Sequence, residues 1–449
     1  MCNLRRPPNR RRCNRTTIII KALNIAIIGG GTAGAAAALF LSRDGHRVEL
    51  HERVTEPVPV GAGLLIQPTG LSVLRALGLA EEILAKGAPV YQLYGTSHSG
   101  RLVMNLDYAD WLEGACGIGL HRGVLFQALW QGLQKAGVSV HTGSEISGVE
   151  DDGKQVTLRR GDTMLGPYDV VVMADGTRSV LRPGLAIRHR AQPYPWGALW
   201  AIVPDPQQDF RGCLRQWYRR AGQMLGVMPT GMAPGSHTPV VSLFWSLRAD
   251  RLEHWQAAGL AAWKREVADL APEVRGLLAH IGRPEQMTWA GYSDVVMRRW
   301  HSGRVVLIGD CAHAMSPQLG QGANLALIDA QVLAASLRDH ANEPAQALAA
   351  YTKSRRAHLR FYQRASRWLT PVYQSDARLI PALRDAFSHL SSKLPPVRAN
   401  MLNTLVGVKA GFLAGRYSGA TEPSAGTMVA SPMAESAVLI QRDDTTANP

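Results

Sequence analysis

The feature that most constrains the fold of this chain is a run of glycines between a short apolar strand and a helix of small residues. Residues 24–28 are apolar, residues 29–34 read GGGTAG and fit the spacing G-x-G-x-x-G, and residues 35–43 begin with four alanines. Strand, glycine turn and helix in this order are typical of a βαβ unit that binds a dinucleotide. The pattern therefore predicts an open α/β sheet with a ligand at its carboxyl edge.

Each glycine of this turn has a physical reason. Gly29 permits the tight turn, Gly31 lets the backbone approach a pyrophosphate, and Gly34 allows the helix to pack closely on the strand. A second strand at 48–50 then leads to Glu52, about 20 residues beyond the glycines, a spacing that suits a carboxylate holding ribose hydroxyls. The residues that we expect at the adenosine end of the dinucleotide are Gly29, Gly31, Thr32, Ala33, Gly34, Glu52 and Arg53. The turn alone does not distinguish NAD from FAD.

A second segment, residues 304–330, has the parts needed to hold a flat anionic ring. An apolar strand over 305–308 is followed by Asp310, whose carboxylate can accept hydrogen bonds from sugar or ribityl hydroxyls at the strand's end. Pro317 stiffens the next loop, and a helix over 323–337 directs its N-terminus at the ligand, where its dipole stabilises negative charge on a reduced flavin. The expected contacts are Asp310, Gly320, Gln321, Gly322, Ala323 and Asn324. On this segment alone, a capped turn and a bent loop remain an alternative.

A third segment repeats the arrangement of an acid and a glycine after a buried strand. Residues 169–174 are predicted as the strand, and Asp175 and Gly176 open a polar turn that leads to Arg182. We expect Asp175 at the cofactor. In isolation, a helix cap with a glycine turn explains this segment equally well.

With these three segments, the chain resembles the class A flavoprotein monooxygenases, the aromatic hydroxylases with the para-hydroxybenzoate hydroxylase fold. That family carries the glycine fingerprint near its start, a D-G-x-x-S-x-x-R motif in mid-chain and a G-D-x-A-H-x-x-x-P-x-x-G-x-G-x-N segment late. Here the late segment reads Gly309, Asp310, Ala312, His313, Pro317, Gly320, Gly322 and Asn324. The resemblance covers residues 24–420 and is specific for cofactor and fold rather than for substrate.

The resemblance implies FAD as the cofactor, with NADPH or NADH as a transient co-substrate near Asp175 and Arg178. It implies that Arg122, which opens a helix over 122–135, reaches the FAD pyrophosphate as a charge-assisted donor. It also implies that O2 adds at flavin C4a and that the hydroperoxyflavin transfers an oxygen atom to a small aromatic substrate. The alternatives are a quinone-precursor hydroxylase, which residues 374–385 resemble, another flavin oxidoreductase such as an epoxidase, and a non-catalytic flavoprotein.

The expected fold class is α/β, a Rossmann-like FAD-binding domain with an inserted, mostly antiparallel β-sheet substrate domain and a helical C-terminal section. The FAD-binding domain is assembled from residues 24–185 and 285–370, and its segment 61–100 borders the pocket. Residues 186–284 contain four strand-like runs and an amphipathic helix over 251–270, and the sheet roofs the flavin ring. The remaining ranges are a basic disordered extension (1–23), C-terminal helices (371–417) and a mobile tail (418–449).

Composition favours a cytoplasmic enzyme, a monomer or homodimer, without metal, nucleic acid or membrane segment. The formal charge is +14, but residues 1–24 carry six arginines and one lysine without an acid, so half of the excess lies in the extension. Such a start is typical of a transit peptide, a disordered arm or upstream sequence from a wrong start. The five cysteines lack C-x-x-C or His-paired spacing, which favours reduced thiols and no zinc. In the apolar stretch 23–41, the glycines cluster at one turn, which argues against a membrane span.

The sequence assigns no catalytic base. Pro317 is a candidate for shaping the pocket against the ring, and Gln216, Tyr218 and Met224 are pocket candidates on strands of the inserted sheet. Core or outer-face positions for the last three remain the alternative. His313 is expected to brace its loop rather than to act as the base.

Overall fold

The computed structural model describes residues 22–58, 62–377, 379–392, 394–412 and 415–417, without the side chains of 387–392. The predicted mobile tail, and the predicted extension up to residue 21, lie outside the described residues. The strands are β1 Asn24–Ile28, β2 Arg47–His51, β3 Gly63–Ile66, β4 Ala88–Ser97, β5 Leu102–Asp107, β6 Gly117–His121, β7 Ser139–His141, β8 Gly148–Asp151, β9 Val156–Arg160, β10 Thr163–Tyr168, β11 Val170–Met173, β12 His189–Pro204, β13 Gly212–Arg219, β14 Gln223–Met232, β15 Pro239–Arg248, β16 Thr288–Met297, β17 His301–Ser302, β18 Val305–Leu307, β19 Lys409–Gly411 and β20 Gly415–Arg416. The helices are α1 Thr32–Arg43, α2 Pro68–Ala76, α3 Ala80–Lys86, α4 Arg122–Lys135, α5 Leu252–Leu270, α6 Arg275–Ala279, α7 Asp310–His313, α8 Gly322–Asp339, α9 Pro344–Tyr373, α10 Leu379–Ser392 and α11 Pro395–Leu405.

One sheet has the strand order β17-β18-β11-β1-β2-β7 and is parallel except for the edge strand β17. Strand β11 reads VVVM and is buried throughout, as expected for a parallel strand covered on both faces. Helix α1 packs against α4 and α8, and its four consecutive alanines are fully buried, so the helix lies close to its neighbours. The predicted α/β fold class is confirmed.

The second large sheet has the order β16-β12-β15-β14-β13-β4-β6-β3, with β5 beside β4. Its pairs are antiparallel except for β13 with β4, and the four strand-like runs predicted in residues 186–284 correspond to β12–β15. The sheet also takes strands from residues 63–121 and 288–297, outside the range predicted for it. Strand β4 pairs with β13, whose edge would otherwise present unpaired backbone N–H and C=O groups.

Helix α5 covers one face of this second sheet. Trp263 and Val267 of the helix are buried in one cluster with Trp217 and Trp245 of the sheet. These tryptophans are therefore core residues. The helix is interrupted at Gly259, whose φ of +78° lies in the left-handed region that glycine favours.

The C-terminal part connects the two sheets. Helix α8 packs on α1 and α9, helix α10 packs on β5, and α9 packs on β19. The section predicted as helices, residues 371–417, contains the end of α9, then α10 and α11, and the short strands β19 and β20. This arrangement places the start of α8 beside β3 and α11.

A further strand set, β8 to β10, forms a separate antiparallel three-stranded sheet. Among the described residues, no helix is long and apolar enough to span a bilayer, and no cluster of His, Cys, Asp or Glu could hold a metal ion.

Candidate functional site

The carboxyl ends of β1, β2, β11 and β18 lie side by side, and the predicted motifs follow these strand ends. The backbone N–H of Gly29 donates to the carbonyl of His51 at 2.8 Å, and Ala174 N–H donates to Ile28 at 2.8 Å. The first strand thereby connects the glycine turn to the segments of Glu52 and Asp175. Gly309 completes the set, because an added Cβ would lie 2.8 Å from the Cβ of Ala33.

Two glycines of the turn are packed tightly against backbone, whereas a third borders open space. A Cβ at Gly29 would lie 2.5 Å from the carbonyl oxygen of Ala174, and a Cβ at Gly34 would lie 2.0 Å from the carbonyl oxygen of Gly29. A Cβ at Gly31 would have no neighbour within 4 Å. Gly31 directly precedes α1, so open space lies at the helix N-terminus, where a pyrophosphate binds well.

Glu52 lies against this turn. Its Oε2 accepts a hydrogen bond from Gly30 N–H at 2.7 Å, and its Oε1 accepts one from Val54 N–H at 3.0 Å. The indole of Trp130, on α4, donates to the carbonyl of Gly30 at 3.0 Å. Glu52 is therefore fixed at the glycine turn, while the neighbouring Arg53 is exposed.

Arg122 is the first residue of α4, and its side chain is exposed. The preceding His121 caps the helix, since its Nδ1 accepts a hydrogen bond from Gly123 N–H at 3.0 Å. Within the described ranges, no carboxylate pairs with the Arg122 guanidinium. A cation of this kind is available to a phosphate.

The D-G-x-x-S-x-x-R motif holds the end of β11 to the segment after β18. Arg182 is buried, and its guanidinium donates to the carbonyls of Cys311 at 2.9 Å and Thr177 at 3.0 Å. Burial and the nearby Asp175 raise the pKa of the Cys311 thiol well above its usual value, so this cysteine is not a thiolate nucleophile. Asp175 has one buried carboxylate oxygen, Oδ1, without a hydrogen-bond partner among the described residues.

The loop between β18 and α8 presents backbone and one exposed acid. Asp310 opens the short helix α7 and is exposed, and Pro317 starts a single helical turn at the surface. Gly320 has a φ of +61°, and neither Gly320 nor Gly322 would bring a Cβ within 4 Å of another atom. No side chain in the described part of the protein caps the N-terminus of α8. The helix N–H groups and the half-buried Ala323 therefore border open space.

Two of the residues predicted at the flavin use their side chains for the fold. The amide of Asn324 is buried, accepts a hydrogen bond from Gln67 N–H at 2.8 Å and donates to the carbonyl of Leu65 at 3.0 Å. Gln321 donates to the carbonyl of Leu405 at 2.5 Å. These contacts hold the start of α8 against β3 and α11.

A buried charge network behind this loop was not foreseen from the sequence. Asp329 of α8 is fully buried, accepts a hydrogen bond from Gly309 N–H at 2.9 Å and pairs with His313 and Arg355. Arg355 Nη1 lies 2.6 Å from Nδ1 of His358. Burial alone raises the pKa of Asp329, but His313 and Arg355 together lower it below its usual value. His313 therefore braces the loop through an ionised aspartate.

The residues predicted as pocket candidates on strands lie in or beside an apolar cluster. Tyr218 and Met224 are buried and are paired across β13 and β14, and the amide of Gln216 lies 4.0 Å from the Met224 sulfur. The guanidinium of Arg384 lies 4.7 Å from the Tyr218 ring centroid. The cluster is shared with Leu402 and other residues of the α11 region.

Tyr292 lies on β16, the edge strand of the large sheet, within electrostatic reach of Arg122. Its hydroxyl accepts a hydrogen bond from the Trp200 indole at 3.1 Å, and the Trp200 ring lies 4.7 Å from that of Phe244. Burial raises the pKa of Tyr292 to about 12, although Trp200 and Arg122 act in the opposite direction. The sequence gives no indication of this contact, because Tyr292 is a single tyrosine in a strand of alternating residues.

These features together fit a bound FAD. Open space at Gly31, the unpaired Arg122 and the carboxylate of Glu52 suit the diphosphate and the adenosine ribose, while exposed Asp310 and the uncapped α8 suit the ribityl chain and the flavin ring. The set combines anion-binding N–H groups with carboxylates for hydroxyls. The residues themselves, as contacts of the cofactor, stay predictions.

Comparison with known proteins gives the same cofactor. A family model described as FAD binding domain matches residues 22–366. The 6-hydroxynicotinate 3-monooxygenase of Bordetella bronchiseptica is 29% identical over 332 residues, which cover 71% of this chain and 84% of that protein. The 2-heptyl-3-hydroxy-4(1H)-quinolone synthase of Mycobacteroides abscessus is 31% identical over 317 residues, which cover 70% of this chain and 82% of that protein.

Solved structures share the fold. Klebsiella pneumoniae HpxO, in a crystal structure with FAD and uric acid, superposes with a TM-score of 0.72 at 22% identity, covering 86% of this chain and 97% of that one. The tetrameric form of 2-methyl-3-hydroxypyridine-5-carboxylic acid oxygenase superposes with a TM-score of 0.70 at 22% identity, covering 85% and 96%. The chain belongs to the FAD-dependent monooxygenases of the class A aromatic hydroxylase family.

Proposed function

We propose that this protein uses NAD(P)H and O2 to hydroxylate a small aromatic ring, with one oxygen atom entering the ring and the other leaving as water. The observation that supports the proposal is that the glycine turn at Gly31 and Asp310 follow strands of the parallel sheet, while the Cβ positions at Gly31, Gly320 and Gly322 and the uncapped N-terminus of α8 border open space. When bound, FAD supplies the activation of O2 after its reduction by the nicotinamide. The chain supplies binding, orientation and electrostatics.

The two ends of the cofactor are held by different segments of the chain. Glu52 and Arg122 bind the ribose and the diphosphate, and Asp310 binds the ribityl hydroxyls. The N-terminus of α8 stabilises negative charge on the pyrimidine side of the ring, because its N–H groups lack a side-chain cap. Asp329 keeps the Gly309 N–H fixed and so orients the turn before Asp310.

The large sheet supplies the aromatic face of the substrate pocket. Trp200 and Phe244 offer flat rings for stacking. Tyr292 is protonated at neutral pH, as tyrosines ordinarily are, and burial raises its pKa further, to about 12. A protonated phenol donates a hydrogen bond to a ring oxygen or nitrogen of the substrate. Relatives whose names specify a 6-hydroxynicotinate or a 3-hydroxy-4(1H)-quinolone support a hydroxylated nitrogen heteroaromatic as the substrate class.

The test uses the purified FAD-loaded protein and a panel of hydroxypyridines, quinolones and phenols. We expect one class to accelerate NAD(P)H oxidation and to yield a product that contains 18O from labelled O2. Peroxide is measured in parallel, because uncoupled oxidation gives peroxide without product. An accelerating compound whose product takes no label from O2 contradicts the proposal.

A further inference from the structure

A groove of about 530 Å³ lies outside the cofactor site, between β12, β16 and α9. Six arginines line it: Arg188, Arg190, Arg298, Arg360, Arg364 and Arg367. We call it the arginine groove. Arg360, Arg364 and Arg367 are spaced by four and three residues along α9, so they lie on one face of the helix.

The charge of the arginine groove is not neutralised by the described residues. Only Arg367 has a carboxylate partner there, Asp294, with Nη2 and Oδ2 2.5 Å apart. Like charges three and four residues apart on one helix face repel each other, and an anion that binds between them relieves this repulsion. Guanidinium groups bind phosphate with paired hydrogen bonds, and a concave site of this volume takes a small ligand.

Residues at the arginine groove also hold the loop between β18 and α8 in place. Val295, beside the groove, donates its N–H to the carbonyl of Ala314 at 2.9 Å, and the amide of Gln363 donates to the carbonyl of Val295 at 2.7 Å. One turn further along α9, the Ser366 hydroxyl donates to the carbonyl of Ser316 at 2.9 Å. Ser316 directly precedes Pro317. The arginine groove therefore adjoins the loop that carries Pro317.

We propose that the arginine groove binds the phosphates of NADPH, including the 2′-phosphate, and makes the enzyme prefer NADPH over NADH. This inference rests on the proposed function, which requires a hydride donor. The parallel sheet has a single glycine turn of the dinucleotide type in the described chain, and that turn serves FAD, so a second dinucleotide needs phosphate contacts elsewhere. Arginine beside the adenosine ribose is the usual recognition of a 2′-phosphate. The co-substrate then lies along α9 rather than at Asp175 and Arg178.

The experiment compares the wild-type holoenzyme with the double variant Arg360→Gln/Arg364→Gln and with Arg265→Gln, which changes an exposed arginine on the distant α5. The first readout is the KM of NADPH and of NADH for anaerobic flavin reduction. We expect the double variant to raise the KM of NADPH by about tenfold or more and that of NADH by a smaller factor, because NADH shares the pyrophosphate but lacks the 2′-phosphate. Arg265→Gln should change neither. An unchanged KM for NADPH, or an equal rise for both nucleotides, overturns the preference.

The second readout does not depend on turnover. Adenosine 2′,5′-bisphosphate is titrated into each holoenzyme by calorimetry, and we expect binding to wild type and Arg265→Gln but not to the double variant. If neither NADPH nor NADH reduces the flavin, the proposed function is wrong. Binding of the bisphosphate still shows whether the arginine groove is a phosphate site. Absent or unaltered bisphosphate binding contradicts the proposal, as does binding of phosphatidylglycerol vesicles in its place. Circular dichroism confirms that each variant is folded.

Discussion

Oδ2 of Asp329 lies 2.5 Å from Nε2 of His313, and both side chains are buried. The pair connects the middle of α8 to the short helix that follows the last parallel strand, and Arg355 holds the second carboxylate oxygen at 2.7 Å. The loop between β18 and α8 is therefore held by a buried ion-pair network as well as by its own hydrogen bonds.

Replacing Asp329 with alanine should strongly destabilise the protein. The change leaves the Arg355 charge buried without a partner, a cost on the order of 3–5 kcal/mol in the free energy of unfolding. Asp339→Ala, at the exposed end of the same helix, should change stability by less than about 0.5 kcal/mol. Urea denaturation of both variants with and without FAD measures the effect. A loss below about 1 kcal/mol for Asp329→Ala would show that the network contributes little.

The two glycines at positions 31 and 34 should respond differently to valine. Gly31→Val places its side chain in open space, so we expect a change in unfolding free energy below about 1 kcal/mol but at least about tenfold weaker FAD binding. Gly34→Val forces a Cβ toward the carbonyl oxygen of Gly29 and should prevent correct folding. Circular dichroism and FAD titration distinguish the two effects. Full FAD affinity in Gly31→Val would remove this turn from the pyrophosphate site.

Asp310→Ala should weaken FAD binding without destabilising the apoprotein, because the carboxylate is exposed and its proposed partners are ribityl hydroxyls. Loss of hydrogen bonds to a charged group corresponds to about 1.5–3 kcal/mol, or about tenfold or more in Kd. The control is Asp162→Ala, an exposed acid in the turn between β9 and β10. Fluorescence titration with FAD gives Kd for each. Equal affinities in both variants contradict the assignment.

His51 should make stability depend on pH. Burial and the neighbouring His141 lower the pKa of His51 to about 4, whereas in the unfolded chain it is about 6.5. The unfolded state therefore binds more protons between these values, and stability is present above pH 6.5 and falls as the pH drops toward 4. Unfolding free energy should fall by up to about 2 kcal/mol from pH 7.5 to 5 through this group. His51→Gln should show a correspondingly flatter profile; an identical slope would disprove the contribution.

Tyr292→Phe tests the substrate side of the site. The variant keeps the ring but loses the hydroxyl that meets Trp200, so FAD binding should persist while the KM of the aromatic substrate rises by about fivefold or more. Steady-state kinetics with the stimulating compound found in the substrate panel measure this. Unchanged KM and kcat would place Tyr292 outside the substrate contacts.

The sequence predicts the parts of the site that consist of a strand followed directly by its motif. The glycine turn, Glu52 and Asp310 are of this kind, because hydrophobic pattern and turn chemistry act over a few residues. The sequence does not predict contacts between distant segments. Tyr292 meets Trp200 across 92 residues, and Asp329 acts on a loop that precedes its own helix.

Sheet membership shows the same limit. The strands at 63–121 have ordinary alternating or apolar patterns of side chains. No local feature of these strands predicts that β4 pairs with β13. Register and partner depend on which faces are buried in the finished fold. The arginine groove likewise combines residues of two strands with arginines of α9 that lie more than 60 residues further along the chain, although the α9 spacing is visible in the sequence.

The strand order of the parallel sheet has a consequence for biosynthesis. Strand β11 pairs with β1 on one side and with β18 on the other, so a nascent chain exposes one edge of β11 until residue 307 has left the ribosome. An unpaired edge of apolar strand promotes association with other chains. Truncated products that end before β18 should therefore aggregate, and the cofactor can be retained only after most of the chain has been made.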